Sequence, residues 1–100
     1  MEEREKIIEL YELYKGLLTE NQRLYFENYY YEDLSLNEIA YNNKVSKTLA
    51  SKIINNTIKK LEHYEEILNF NYKENKLKNL LNKIDDNKIK TVIEEILYKD

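Results

Sequence analysis

Apolar residues recur at spacings of three and four along almost the whole chain, and this periodicity predicts a protein built from amphipathic helices. The first stripe predicts a helix from Glu3 to Leu18. The next predicts a helix that starts after Thr19, where the sequence TENQ has the spacing of a capping box, and reaches about Tyr31. With no proline and one glycine, the chain has almost no helix breakers, so we expect an all-α fold.

Residues 34–61 predict a helix-turn-helix. The first helix starts after Ser35, which stands at capping-box spacing from Glu38. The following NNK sequence tolerates the left-handed backbone of a turn, and Ser46 can cap the second helix. Ala40 is small enough for a close crossing of the two helices. The second helix is expected to face the core with Leu49, Ala50, Ile53 and Ile54.

The second motif helix is longer than a minimal helix-turn-helix needs. A heptad-like seam extends it to about residue 69 through Ala50, Ile54, Thr57, Leu61, Tyr64 and Leu68. A link at residues 69–71 precedes apolar stripes at Leu77, Leu80, Leu81 and Ile84 and at Ile89, Val92, Ile93, Ile96 and Leu97. We therefore divide a single domain into a helical part, residues 1–69, and a C-terminal dimerisation segment, residues 70–100. These short helices favour a homodimer, and an intramolecular bundle is the alternative.

Charge is distributed unevenly along the chain, although the net charge is only −3. Residues 1–38 carry ten acids and four bases, and residues 62–100 carry nine acids and seven bases. Residues 39–61 carry five lysines and no acid. This basic block covers the turn and the second motif helix, so it can attract a polyanion; a solvated lysine-rich face is the alternative.

If the motif binds DNA, the start of its second helix enters the major groove. Asn55 can pair with an adenine edge, while Lys47 and Lys52 point outward beside it. Thr48 and Ser51 can contact bases or phosphates. Phosphate contacts are expected from Lys44 and Lys59. Arg23 and Asn42, on the preceding helices, are expected to add contacts to the DNA backbone.

Other classes of protein find little support in these residues. The one histidine, His63, lies on the long helix without a cysteine, a glycine-rich loop or a catalytic triad nearby, so we expect no enzyme, no cofactor and no metal site. The Tyr29–Tyr31 triplet could stack on bases, but aromatic packing explains it better. No apolar run approaches the ~20 residues of a membrane span, the start is acidic, and cysteine is absent, so a cytoplasmic protein is expected.

Several of these segments together resemble a known family. The stretch LLTENQRLYFENYYYEDLSLNEIA at residues 17–40, followed by VSK at 45–47 and KKLEHYEEIL at 59–68, resembles the YlxM-like family of small bacterial helix-turn-helix proteins, usually encoded beside signal recognition particle genes. It is similar, more distantly, to the C-terminal domain of sigma factors. The resemblance implies an all-helical homodimer with a DNA-binding motif and a role linked to the signal recognition particle.

The chain departs from the family pattern at the turn. Asn43 stands where the family favours an apolar residue, and Lys44 where it favours asparagine. Lys47 replaces an arginine, and lysine cannot make the planar two-pronged contact that arginine makes with guanine. Two functions therefore stay open: a regulator that binds duplex DNA, or an accessory protein that contacts the signal recognition particle protein or its RNA without binding DNA.

Overall fold

The computed structural model of the chain describes residues 2–98; Met1, Lys99 and Asp100 lie outside them. Over this range the backbone forms six α-helices and no strand, which confirms the all-α class. The helices are α1 (Glu2–Tyr14), α2 (Glu20–Tyr30), α3 (Leu36–Asn43), α4 (Lys47–Leu68), α5 (Phe70–Lys83) and α6 (Asn87–Tyr98), with a short 3-10 turn at Lys15–Leu17. They belong to two compact units, Met1–Ile67 and Leu68–Asp100.

Both predicted capping boxes are present. The Gln22 backbone N–H donates to the Thr19 hydroxyl at 3.1 Å, and the Gln22 side chain accepts from the Thr19 backbone at 3.0 Å. Ser35 and Glu38 make the same reciprocal pair at 3.1 and 2.9 Å. Because each box satisfies two backbone N–H groups that lack helical partners, it fixes where α2 and α3 begin.

The first helix is shorter than the apolar stripe predicts. It ends at Tyr14, not at Leu18, and the 3-10 turn replaces its last α-helical turn. The Arg23 Nη1 atom donates to the carbonyl of Leu18 at 2.7 Å and to that of Lys15 at 3.2 Å. Arg23 thus gives the Leu18 carbonyl a partner, and it adds a second bond to the Lys15 carbonyl, which also accepts from the Leu18 backbone N–H at 3.1 Å.

Aromatic side chains form the core that joins α1, α2 and α4 in the first unit. Tyr11 stacks on Phe26 with ring centroids 4.1 Å apart, and both rings are fully buried. The Tyr11 hydroxyl donates to Glu27 on α2, and the Tyr14 hydroxyl donates to Glu65 on α4 at 2.7 Å. The phenol groups therefore give the apolar core polar connections to two other helices.

The helix-turn-helix is packed around small side chains. Its core cluster contains Tyr25, Ile39, Ala40, Ala50 and Ile54. Ala40, the small residue expected at the crossing, is buried here together with Ala50 of α4. Leu49 was expected in this core, but 42% of it is exposed. It precedes Ala50 by one residue, which rotates its side chain about 100° around the helix from the buried face.

The turn between α3 and α4 is a Schellman motif. Lys44 has a left-handed backbone, with φ 56° and ψ 43°. Its N–H bonds the Tyr41 carbonyl at 3.3 Å, and the Val45 N–H bonds the Ala40 carbonyl at 3.0 Å. Val45 then packs against the motif core, and the Leu49 N–H donates to the Ser46 hydroxyl at 3.0 Å, so Ser46 caps α4 as predicted.

The long second motif helix is also confirmed. Four residues of the predicted seam, Ala50, Ile54, Thr57 and Leu61, are buried, and α4 reaches Leu68. A single left-handed residue, Asn69 with φ 56°, separates α4 from α5 at the predicted link.

The second unit consists of α5 packed against α6. The Asp86 carboxylate accepts from the Lys88 backbone N–H at 2.8 Å and caps α6. Ile93 is its one buried apolar residue among those that the structure describes.

Candidate nucleic-acid interface

An open groove runs along the outer face of α4. Its volume is about 570 Å³, and one residue of α3, Leu36, lies at its edge. The side chains that line it from α4 are Lys47, Thr48, Ser51, Lys52, Asn55, Asn56 and Lys59. Three of the seven are lysines and none is acidic. This face therefore presents positive charge and hydrogen-bonding groups together.

Burial of the opposite face holds this groove toward solvent. Ala50, Ile54 and Thr57 are buried in the first unit, and an α-helix of 3.6 residues per turn places the groove residues on the other side. The Thr57 hydroxyl donates to the Ile53 carbonyl at 2.8 Å, so its one polar group is satisfied within the helix. The packing of α4 thus leaves only its outer face available to a partner.

Six of the nine residues proposed for the site lie together in this groove: Lys47, Thr48, Ser51, Lys52, Asn55 and Lys59. Lys44 does not line it, but is exposed at the left-handed position of the turn, three residues before α4. Arg23 is elsewhere, with its guanidinium bonded to the carbonyls of Lys15 and Leu18. Asn42 is exposed in the last turn of α3.

Asn55 offers an exposed amide in this groove. Its Nδ2 atom donates to the Ser51 hydroxyl at 3.5 Å, a long and therefore weak hydrogen bond. An asparagine amide can both donate and accept, which is the pattern that the major-groove edge of adenine requires. Ser51 and Thr48 add hydroxyl groups that can donate to phosphates or accept from bases.

Two groove residues were not foreseen from the sequence. Asn56 follows Lys52 by four residues and precedes Lys59 by three, so helical spacing alone could have identified it. Leu36 lies on another helix, and its place at the edge depends on how α3 crosses α4. No pattern within the sequence of α4 could have shown it.

The tyrosine triplet is part of the packing between α1 and α2. The Tyr30 ring stacks on Phe26 with centroids 4.5 Å apart, and the Arg4 guanidinium lies 5.1 Å from the centre of the Tyr30 ring. The Tyr31 hydroxyl donates to Glu12 on α1. With its ring engaged by both Phe26 and Arg4, Tyr30 offers little free surface for a stacked base.

Over residues 2–98, no group of three or more histidine, cysteine, aspartate or glutamate side chains is placed to hold a metal ion. None of the described helices is both long and apolar enough to cross a membrane. His63 is an exposed residue on α4.

Comparison with known proteins identifies the family. Residues 1–99 match the model of UPF0122, described as "Putative helix-turn-helix protein, YlxM / p13 like". A UPF0122 protein of Mycoplasma capricolum is 44% identical over 89 residues, which are 89% of this chain and 79% of that protein. One from Ureaplasma urealyticum is 37% identical over 90% of this chain and 91% of its own length. One from Geobacillus is 42% identical over 77% of this chain and 70% of its own length. The chain belongs to the UPF0122 family of helix-turn-helix proteins.

Proposed function

We propose that this protein is a DNA-binding regulator that inserts the N-terminal half of α4 into the major groove of duplex DNA. One observation carries the proposal: the groove on α4 combines lysines, hydroxyls and amides without an acid, while the same helix buries its other face. The chain also belongs to a helix-turn-helix family, and α3 and α4 share one core. Both facts support insertion of α4 into the major groove.

In this proposal the residues divide between positioning and reading. Lys47, Lys52 and Lys59 contact phosphates along the groove, and Lys44 contacts one from the turn. Asn55 reads an adenine edge, while Thr48 and Ser51 contact bases or phosphates nearby. We leave Arg23 out of this set because its guanidinium bonds two backbone carbonyls.

The number of lysines sets the expected salt dependence. Four phosphate contacts, from Lys44, Lys47, Lys52 and Lys59, predict that log K falls with log salt with a slope of about −3.5. Non-specific binding is expected with a Kd on the order of 10⁻⁴–10⁻⁶ M, so a titration must reach these concentrations.

The test is a titration of labelled duplex from the protein's own locus, followed by fluorescence anisotropy. The double variant Lys47→Ala/Lys52→Ala is expected to lose at least tenfold in affinity and to reduce the salt slope by about 2. The matched control is Lys6→Ala/Lys15→Ala, which removes two exposed lysines of the first unit outside this groove and should bind like the unmodified protein. Equal affinities for both double variants would contradict the assignment of this face.

A second candidate function is an accessory protein that contacts the signal recognition particle protein or its RNA. It is favoured by the small number of lysines in the groove and by the acidic residues beyond its end, which a strong duplex binder would avoid. Failure to bind any duplex at low salt, together with recovery of that particle's RNA or protein in a pull-down, would select this candidate over DNA binding.

We infer further that residues 70–100 pair two copies of the chain. In α6, Ile89, Val92 and Ile96 are 46%, 56% and 61% exposed, although they share the apolar side of an amphipathic helix. A second copy of α6 can cover such a face, which is the usual arrangement of a two-fold dimer.

A further inference from the structure

The outer face of α4 changes the sign of its charge halfway along the helix. Residues at alternating spacings of four and three form one exposed stripe: Thr48, Lys52, Asn55, Lys59, Glu62 and Glu66. Lysines occupy the stripe as far as Lys59, and glutamates occupy it from Glu62 onward. The reversal occurs within one helical turn, between two side chains three residues apart.

A second depression shows that this acidic end adjoins the basic groove directly. Its volume is about 590 Å³, and it is bounded by α1, α2 and α4. Asn55 and Lys59 line both depressions, while Glu62 of α4 and both Glu3 and Arg4 of α1 line only the second. The Arg4 guanidinium is already paired with the Asp33 carboxylate at 3.5 Å. A polyanion that followed the stripe past Lys59 would therefore meet carboxylates from two different helices.

The dimensions of α4 make this reversal matter for docking. The helix is about 33 Å long at 1.5 Å per residue, and its basic part from Lys47 to Lys59 spans about 18 Å. Glu66 lies about 10 Å beyond Lys59 along the axis. That distance is comparable with the Debye length of about 10 Å at 0.1 M salt, so the acidic end repels phosphates that approach it.

We propose that Glu62 and Glu66 determine how a nucleic acid docks, by barring the part of α4 beyond Lys59 from the phosphate backbone. This inference rests on the proposed function. A helix laid lengthwise along the groove would bring both carboxylates beside phosphates, whereas a helix that enters by its N-terminal end keeps them away. The like-charge repulsion thus selects the end-on orientation, which brings Asn55 to the bases, and disfavours lengthwise binding without sequence reading.

The experiment compares two double variants with the same change in net charge. Glu62→Gln/Glu66→Gln neutralises the acidic end of α4. The control, Glu5→Gln/Glu9→Gln, neutralises two exposed glutamates on the side of α1 that faces away from the core. Each is titrated with random-sequence duplex and with duplex from the protein's own locus, and circular dichroism checks that helicity is retained. Heparin affinity chromatography gives a second reading that needs no DNA.

We expect Glu62→Gln/Glu66→Gln to bind random duplex about three- to tenfold more tightly at about 50 mM salt, with a smaller gain at about 200 mM. Its preference for the locus duplex over random duplex should fall, and it should elute from heparin at higher salt than the control. Equal gains for both double variants would show an effect of net charge alone and overturn the inference. An unmodified protein that binds no duplex would refute the proposed function, while the heparin comparison would still decide whether the acidic end repels polyanions.

Discussion

A lysine occupies the one position of the α3–α4 turn that requires a left-handed backbone. Lys44 has φ 56°, where the Cβ atom of any residue except glycine is crowded by the backbone. The Schellman motif holds it there, because the N–H groups of Lys44 and Val45 satisfy two carbonyls at the end of α3. Strain at this residue is thus offset by the bonds that close the turn.

Relief of this strain can be measured. Lys44→Gly is expected to raise the free energy of unfolding by about 1 kcal/mol, since glycine adopts a positive φ without the crowding. Urea unfolding followed by circular dichroism gives the value. Lys44→Ala is the control, because it removes the same charge but keeps the Cβ atom. A gain of equal size in the alanine variant would mean that the charge, not the backbone, destabilises the turn.

Residues whose partners lie nearby in the sequence were the ones that could be predicted. Thr19, Ser35 and Ser46 were identified as caps because each bonds a backbone group three residues away. The sequence predicts that Arg23 contacts the DNA backbone, and nothing in the pattern around it indicates a partner within the chain. Its bonds to the carbonyls of Lys15 and Leu18 depend on how the chain turns between α1 and α2.

At the scale of helices, the two capping boxes differ in one chemical respect. The box at the start of α2 uses the neutral Gln22, whereas the box at the start of α3 uses Glu38. Hydrogen bonds from the Ser35 backbone and hydroxyl hold the pKa of Glu38 below its ordinary value of 4.5. The charged carboxylate is therefore favoured in the folded chain, and its contribution to stability depends on pH.

The sign of that dependence follows from the lowered pKa. Stability from Glu38 is complete above pH 4.5 and is lost as the pH falls through the folded-state pKa. Glu38→Gln should keep the box, as Gln22 does, and lower the acid sensitivity of unfolding. Urea unfolding of both proteins at about pH 7 and about pH 3.5 measures the difference. The same loss of stability in both proteins on acidification would contradict the assignment.

The extent of a helix was predicted less well than its start. The stripe from Ile7 to Leu18 has helical spacing throughout, yet α1 ends at Tyr14. Periodicity shows only which side chains can share one face of a helix. Leu18 is buried as expected, but its backbone is extended and not helical. Likewise Leu49 has the right spacing for the motif core, but the crossing of α3 and α4 is filled by Ala40 and Ala50.

At the scale of the whole molecule, the proposed dimer depends on apolar side chains that α6 leaves exposed. The number of helices and the motif follow from local pattern, but the assembly depends on which apolar faces find a partner. Val92 and Ile96 lie one turn apart in α6 and are more than half exposed. Their burial in a dimer would stabilise it roughly in proportion to the apolar area removed from water.

Val92→Ser/Ile96→Ser is therefore expected to weaken dimerisation by tenfold or more, since both copies lose two apolar side chains. Sedimentation velocity over a range of concentrations measures the change. The control Glu94→Ser/Glu95→Ser places the same residues at neighbouring exposed positions of α6 and should leave the dimer intact. An unmodified protein that sediments as a monomer throughout would refute the dimer.

The hydroxyl-to-carboxylate bonds of the aromatic core also set an alkaline limit for the fold. Burial, together with Glu27 for Tyr11 and Glu12 for Tyr31, raises the pKa of both phenols above the ordinary value of 10. Their stabilising effect is complete below that pH and disappears as the pH rises through the folded-state pKa values. We therefore expect Tyr11 and Tyr31 to ionise only as alkali breaks their contacts, and the ultraviolet absorption of tyrosinate, compared with that of a Tyr11→Phe variant, would follow that step without any added label.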